Sequence, residues 1–202
     1  METPEARALW NLVEQRLAGG DREAIDREIW DRFGGEWAVM FTDLAGFSRQ
    51  VAKFGIIHFL QTIHEQKRVL VPIIAQHGGT LVKIEADSML VLFPTAESAA
   101  RSALAMQAAC VALSKRSEPE DKVLLCVGLG FGRVLRVGDA EVFGHEVNLA
   151  SKLGEDTAKA QEILATPAAH AAFGDIDGIT WEQVTAEYAG ESVCWRAVYK
   201  GR

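Results

Sequence analysis

Two aspartates carry the first hint of chemistry. Asp43 follows the apolar run Trp37-Ala38-Val39-Met40-Phe41 and Thr42, and Asp87 closes Lys83-Ile84-Glu85-Ala86-Asp87 between two further apolar runs. A lone carboxylate at a strand end is ordinarily a turn or cap residue, and a charged hairpin tip ordinarily faces water. Two carboxylates brought together from neighbouring strand ends are different: they are the least equipment that holds divalent cations which also bind phosphate. Leu44-Ala45-Gly46-Phe47-Ser48, directly after Asp43, offers a glycine and exposed amides ahead of a helix, a seat for a phosphate. Farther on, Asn148 and Lys152 stand at i and i+4 and share one helix face, with Leu149 and Leu153 on the neighbouring face to anchor it.

The elements that must position these residues follow from hydrophobic period and breakers. Leu9, Val13 and Leu17 predict a first helix that ends at Gly19-Gly20, and Ile25, Ile29, Trp30 and Phe33 a second over about 21–33. Residues 1–34 are read as an N-terminal helical extension, either packed on the domain or acting as a dimerisation or regulatory arm, and residues 35–202 as the main domain. The run 37–41 predicts a buried central strand. Ile56, Leu60, Ile63, Leu70 and Ile74 predict a helix over about 55–76, closed by His77-Gly78-Gly79. Residues 80–84 and 88–93 form a hairpin, and a helix from about 94 presents Ala99, Ala103, Met106, Cys110 and Leu113 as a packing stripe. A polar loop covers 114–122. The strand 123–132, a hairpin-like 133–143, a helix over about 146–159, the strand 162–166 and two strands within 178–199 complete the chain. The order predicts an α+β, ferredoxin-like βαββαβ sheet with helices on one face and extra C-terminal strands.

Bulk properties narrow the function classes. A net charge of −7 argues against a protein that tracks a nucleic-acid backbone. Three cysteines, widely spaced and odd in number, suggest neither a disulfide framework nor a zinc site. Charges run through the first twenty residues, as they do not in a signal peptide, and no apolar run approaches a membrane span. The expectation is a reduced, cytoplasmic protein.

From Val39 to Thr166 the motifs resemble the catalytic domain of class III nucleotidyl cyclases. Phe41-Thr42-Asp43-Leu44-Ala45-Gly46-Phe47-Ser48 looks like that family's first metal-aspartate segment. Lys83 to Phe93 is similar to its Lys-x-x-Gly-Asp hairpin, with Ala86 where glycine is usual. Val127 to Val134 resembles the strand with a phosphate-binding arginine, here Arg133. Phe143 to Leu153 looks like the Gly-x-x-Val-Asn-x-Ala-x-Arg helix, with Lys152 in the arginine's place. The resemblance implies a homodimer with shared sites that converts ATP, rather than GTP, to 3′,5′-cyclic AMP and pyrophosphate. Asp43 and Asp87 would hold two Mg2+ or Mn2+ ions, and Gly46, Phe47 and Arg133 would contact phosphate. Asn148 would orient the ribose and Lys152 would stabilise the α-phosphoryl charge. Lys83 and Glu141, or Asp139 in its place, would read the base. A cyclase-like dimer that binds nucleotide or a protein partner without turnover is the alternative.

Overall fold

The computed structural model describes residues 3–115 and 122–200, and the side chains of 47–50 lie outside that description. Most of the polar loop expected over 114–122 is therefore also outside it. Two capped helices come first: α1 (Pro4–Leu17), where Thr3 accepts the Ala6 N–H and Pro4 starts the first turn, and α2 (Arg22–Phe33), capped by Asp21. There follow β1 (Gly34–Leu44), α3 (Phe47–Phe54), α4 (Ile56–Gln76), β2 (Thr80–Glu85), β3 (Ser88–Phe93), α5 (Ala96–Ser114), β4 (Leu125–Val137) and β5 (Glu141–Phe143). The remainder is α6 (His145–Ser151), a π-helical turn (Lys152–Thr157), β6 (Ile163–Ala165), α7 (Pro167–Ala172), β7 (Ile179–Tyr188) and β8 (Glu191–Tyr199).

The strands form one sheet in the order β2-β3-β1-β4-β6-β8-β7, with β5 paired to β4. β1 is central, antiparallel to β3 and β4, and its Ala38, Val39 and Met40 are all buried, because both faces of the sheet are covered. Alternation sends Ala38, Met40 and Leu44 into the main core with Phe59, Leu70 and Ile74 of α4 and Ala99, Ala103 and Met106 of α5. Val39 and the half-buried Trp37 and Phe41 point the other way, toward Val147 and Ala150 of α6. This is the ferredoxin-like plan the sequence predicts, with α6 and the π turn added on the second face. α1 and α2 pack through Leu9, Leu12, Ile25, Ile29 and Phe33 onto Val137 at the far end of β4.

Several boundaries differ from the sequence reading, each for a local reason. β1 starts three residues earlier, at Gly34, because the flanking β4 pairs with it as far as Leu135. A separate α3 precedes α4, and the break falls at Gly55, whose φ of +85° suits glycine. The helix expected over 146–159 is α6 plus the π turn. Within that turn Gly154 lies on the sheet so closely that a Cβ would sit 2.7 Å from the Phe41 carbonyl oxygen. α7, unforeseen, is a single short helix begun by Thr166 and Pro167. Cys110, Cys126 and Cys194 are all buried free thiols.

Candidate active site

Register brings the two aspartates together. Thr42 pairs with Met89, so Asp43 is level with Ser88, the residue after Asp87 at the β2–β3 tip. The Ser88 hydroxyl donates to Asp43 Oδ1 at 3.4 Å. Across the other edge Asp43 faces Cys126 of β4. The tip is pinned from behind, where Gln66 of α4, itself buried, donates from Nε2 to the Asp87 carbonyl oxygen at 3.0 Å. Asp87 is only 5 % exposed, and its Oδ2 is buried without a hydrogen-bond partner.

The electrostatics show two carboxyls that conflict. Asp43 is pushed up to about 7, first by burial and then by the charge of Asp87, close enough to share a proton with it; Glu155 of the π turn adds negative field. Asp87 is also raised, chiefly by burial. A buried pair of this kind, with an orphaned carboxylate oxygen, lacks positive charge. Hard-oxygen donors in a negative field fit Mg2+ or Mn2+, ions that one or two carboxylates hold while water and phosphate oxygens complete the shell. Among the described residues no cluster of three or more His, Cys, Asp or Glu is arranged around a metal position, so the pair itself would be the protein's side-chain contribution.

The remaining predicted residues divide. Gly46, with φ of +85°, caps the start of α3 three residues beyond Asp43; the Phe47 side chain lies outside the described ones. Lys83 faces the same side of the sheet as Asp43, through its register with Leu90, and its ammonium meets Glu85 at 2.5 Å. Asn148 is exposed on α6 and Lys152 on the turn after it, where the ammonium meets Asp156 at 2.7 Å.

Arg133 and Glu141 lie elsewhere on the same protomer. Arg133 pairs with Glu36, seven residues from Asp43 along β1, which is about 23 Å of strand. Its guanidinium lies 4.5 Å over the Trp30 ring of α2. Glu141 pairs with Val137 of the α1–α2 cluster, while its neighbour Val142 points beneath α6 and Phe143 meets Trp10 of α1. Strand alternation therefore turns Glu141 to the α1–α2 face, away from Lys83. Its Oε2 is buried without a partner. Asp139 is 93 % exposed at the hairpin tip and paired with Arg136.

Gln66, Ser88 and Glu155 were missed by sequence reasoning. Gln66 left a legible signal, a polar residue in the apolar stripe Ile63-Gln66-Leu70 of α4. Ser88 and Glu155 gave none, since their role comes from register and from the π turn.

The chain belongs to the adenylate and guanylate cyclase catalytic domain family, whose pattern matches residues 34–189. It is 33% identical over 168 residues to an adenylate cyclase of Streptomyces coelicolor, a match covering 77% of this chain and 40% of that protein. The chain thus spans less than half the length of that relative. Its fold is similar to an adenylate/guanylate cyclase/hydrolase from Silicibacter pomeroyi, with TM-score 0.73 and 24% identity over 82% of this chain and 97% of that one. The guanylyl cyclase Cya2 is similar with TM-score 0.70 and 20% identity, over 83% of this chain and 94% of that one. No helix among the described residues is long and apolar enough to cross a membrane.

Proposed function

We propose that the chain is a metal-dependent adenylate cyclase, forming 3′,5′-cyclic AMP and pyrophosphate from ATP in a homodimer. The observation that carries the reading is the convergence of Asp43 and Asp87, with a buried carboxylate oxygen left open, in a member of this family. In the reaction the ribose 3′-oxygen bonds to the α-phosphorus, the bond from that phosphorus to the bridging oxygen breaks, and pyrophosphate leaves as the 3′-hydroxyl gives up its proton. Asp43 and Asp87 would hold two Mg2+ or Mn2+ ions, which would supply the charge that acidifies the hydroxyl and neutralises the leaving group.

The chain's own residues do the placing. Ser88 holds the Asp43 carboxyl group, Gln66 pins the backbone that presents Asp87, and the amides around Gly46 at the start of α3 receive phosphate oxygens. Asn148 orients the ribose, and Lys152 donates to the α-phosphoryl oxygens as charge builds there. Lys83 donates to adenine N1. Glu85, which pairs with Lys83, accepts from the 6-amino group in place of Glu141, whose side chain turns to the α1–α2 face; the Lys83–Glu85 ion pair supports this choice. Asn148 and Lys152 are exposed and make no described contact with the aspartates, which supports sites completed by a second protomer. Exposed Ile56, Ile57 and Leu60 at the start of α4 give that protomer an apolar surface.

A second reading, nucleotide binding without turnover, is favoured by the Lys152–Asp156 pairing, which occupies the cation needed at the phosphate. Purified protein incubated with Mn2+ or Mg2+ and ATP, GTP, CTP or UTP, with products separated by chromatography, decides between them. Cyclic AMP that disappears in Asp43→Asn and Asp87→Asn supports the cyclase. Tight nucleotide binding with no cyclic product supports the module, and cyclic GMP as the main product overturns the adenine assignment.

A further inference from the structure

We propose that Glu146 is a positioning residue whose carboxylate fixes the seat of α6 on the sheet and, through it, the placement of Asn148 and Lys152. What those two residues do rests on the cyclase reading above; the staple rests on geometry.

β6 ends at Ala165, paired with Leu129 of β4, and the next N–H, that of Thr166, still donates to the Leu129 carbonyl at 2.9 Å. In a continuing parallel ladder the Phe131 N–H would bond to the next residue of that strand. The chain instead turns into α7, and Glu146 takes the vacated role. One oxygen, Oε2, accepts the Phe131 N–H at 3.1 Å and the Thr166 hydroxyl at 2.7 Å. That hydroxyl also caps α7 by accepting the Ala169 N–H at 3.1 Å. A single side chain of α6 thus ties together β4, the end of β6 and the start of α7.

The seat beneath α6 explains why such a tie matters. A Cβ at Gly128 would lie 2.2 Å from the Ala150 carbonyl oxygen, and one at Gly130 2.6 Å from that of Glu146. Alternate glycines of β4 therefore let the α6 backbone rest directly on strand backbone. The glycines themselves allow close approach but offer no side chains to index sliding or rotation; around them Val39, Val134 and Val142 meet Val147 and Ala150 through apolar contact. Leu149 and Ala150 supply apolar contact, which is non-directional. The Glu146 bonds are directional, in the first turn of α6 and two residues before Asn148. A small shift there is passed along the helix to Lys152, and displacement of a positioned group by about 1 Å costs about 10²-fold in rate.

The test compares wild type, Glu146→Ala and Glu146→Gln in the full chain, with ATP and Mn2+. Glu146→Ala is expected to lower kcat about 10–100-fold while KM for ATP moves less than about 3-fold. Glu146→Gln, whose amide oxygen can accept both donors, is expected to stay within about 5-fold of wild type in kcat. On a Lys152→Ala background the same Glu146→Ala change is expected to cost several-fold less than in the wild type, because one of the two residues it places is gone and only Asn148 remains to be displaced. Amide exchange of residues 145–151 is expected to quicken about 10-fold in Glu146→Ala, with β1 and β3 unchanged. Wild-type kcat and exchange in Glu146→Ala overturn the proposal, as does an undiminished loss on the Lys152→Ala background. A wild type that cyclises no nucleotide overturns the cyclase reading instead, and the exchange measurement then judges the staple alone.

Discussion

The Gln66 amide donates to the backbone carbonyl of Asp87 at 3.0 Å, linking the helix that covers the sheet to the hairpin tip that presents the second aspartate. Both residues are buried, so the bond is shielded from water. Replacing Gln66 with Met keeps the volume and removes the donor. The change is expected to destabilise the fold by about 1–3 kcal/mol through the carbonyl left unpaired. It is also expected to weaken Mn2+ binding about 10-fold, as loss of a residue that orients a metal ligand does. Denaturant melts and calorimetric Mn2+ titration check both; unchanged Mn2+ affinity would separate the hairpin tip from the metal.

The conflict between Asp43 and Asp87 predicts the pH dependence of the metal-free protein. Folding raises the Asp43 carboxyl from its ordinary 3.8 to about 7, so between those values the folded state holds a proton that the unfolded chain has released. Stability from this group is therefore fully present below about pH 4 and is lost as pH rises through about 7. Melting in chelator at pH 5, 6, 7 and 8 should show Tm declining more steeply for wild type than for Asp43→Asn. Added Mn2+ should raise Tm more at pH 8 than at pH 5, because Asp43 no longer holds its proton there. Parallel wild-type and Asp43→Asn curves would contradict the assignment.

Lys152 stands where the cyclase motif that Phe143 to Leu153 resembles has arginine, and its ammonium is engaged by Asp156. A planar fork holds two oxygens where an ammonium acts as a point charge. Lys152→Arg is accordingly expected to retain or raise turnover, and Lys152→Ala to lower kcat about 10²–10³-fold with little change in KM. Steady-state kinetics on folded protein read both. A collapse in Lys152→Arg, with folding and assembly intact, would remove Lys152 from the phosphate.

Ala86 occupies the first position of the β2–β3 turn with φ of +51°, a conformation that glycine adopts without a Cβ clash. Ala86→Gly relieves that strain against a higher unfolded-state entropy, and a net gain of about 0.5–1 kcal/mol is expected. Equilibrium denaturation measures it. A loss of stability would mean that the turn is not strained.

Much of the architecture was legible along the chain because periodicity, caps and glycine breaks are local. The apolar run of β1, the α4 stripe and the hairpin around Asp87 announce themselves in this way, as does the i, i+4 pair Asn148 and Lys152. The sequence by itself also named the two aspartates. Their side-chain environment was decided by tertiary structure alone, since it takes the pairing of β1 with β3 to set Asp43 level with Ser88 and α4 to pin Asp87. The same holds for Arg133 and Glu141, whose residue types suited a nucleotide. Strand register and alternation carried the first about 23 Å along the sheet and turned the second to its other face. Composition and motif order record which groups exist; distance and direction arise only when strands from remote segments align.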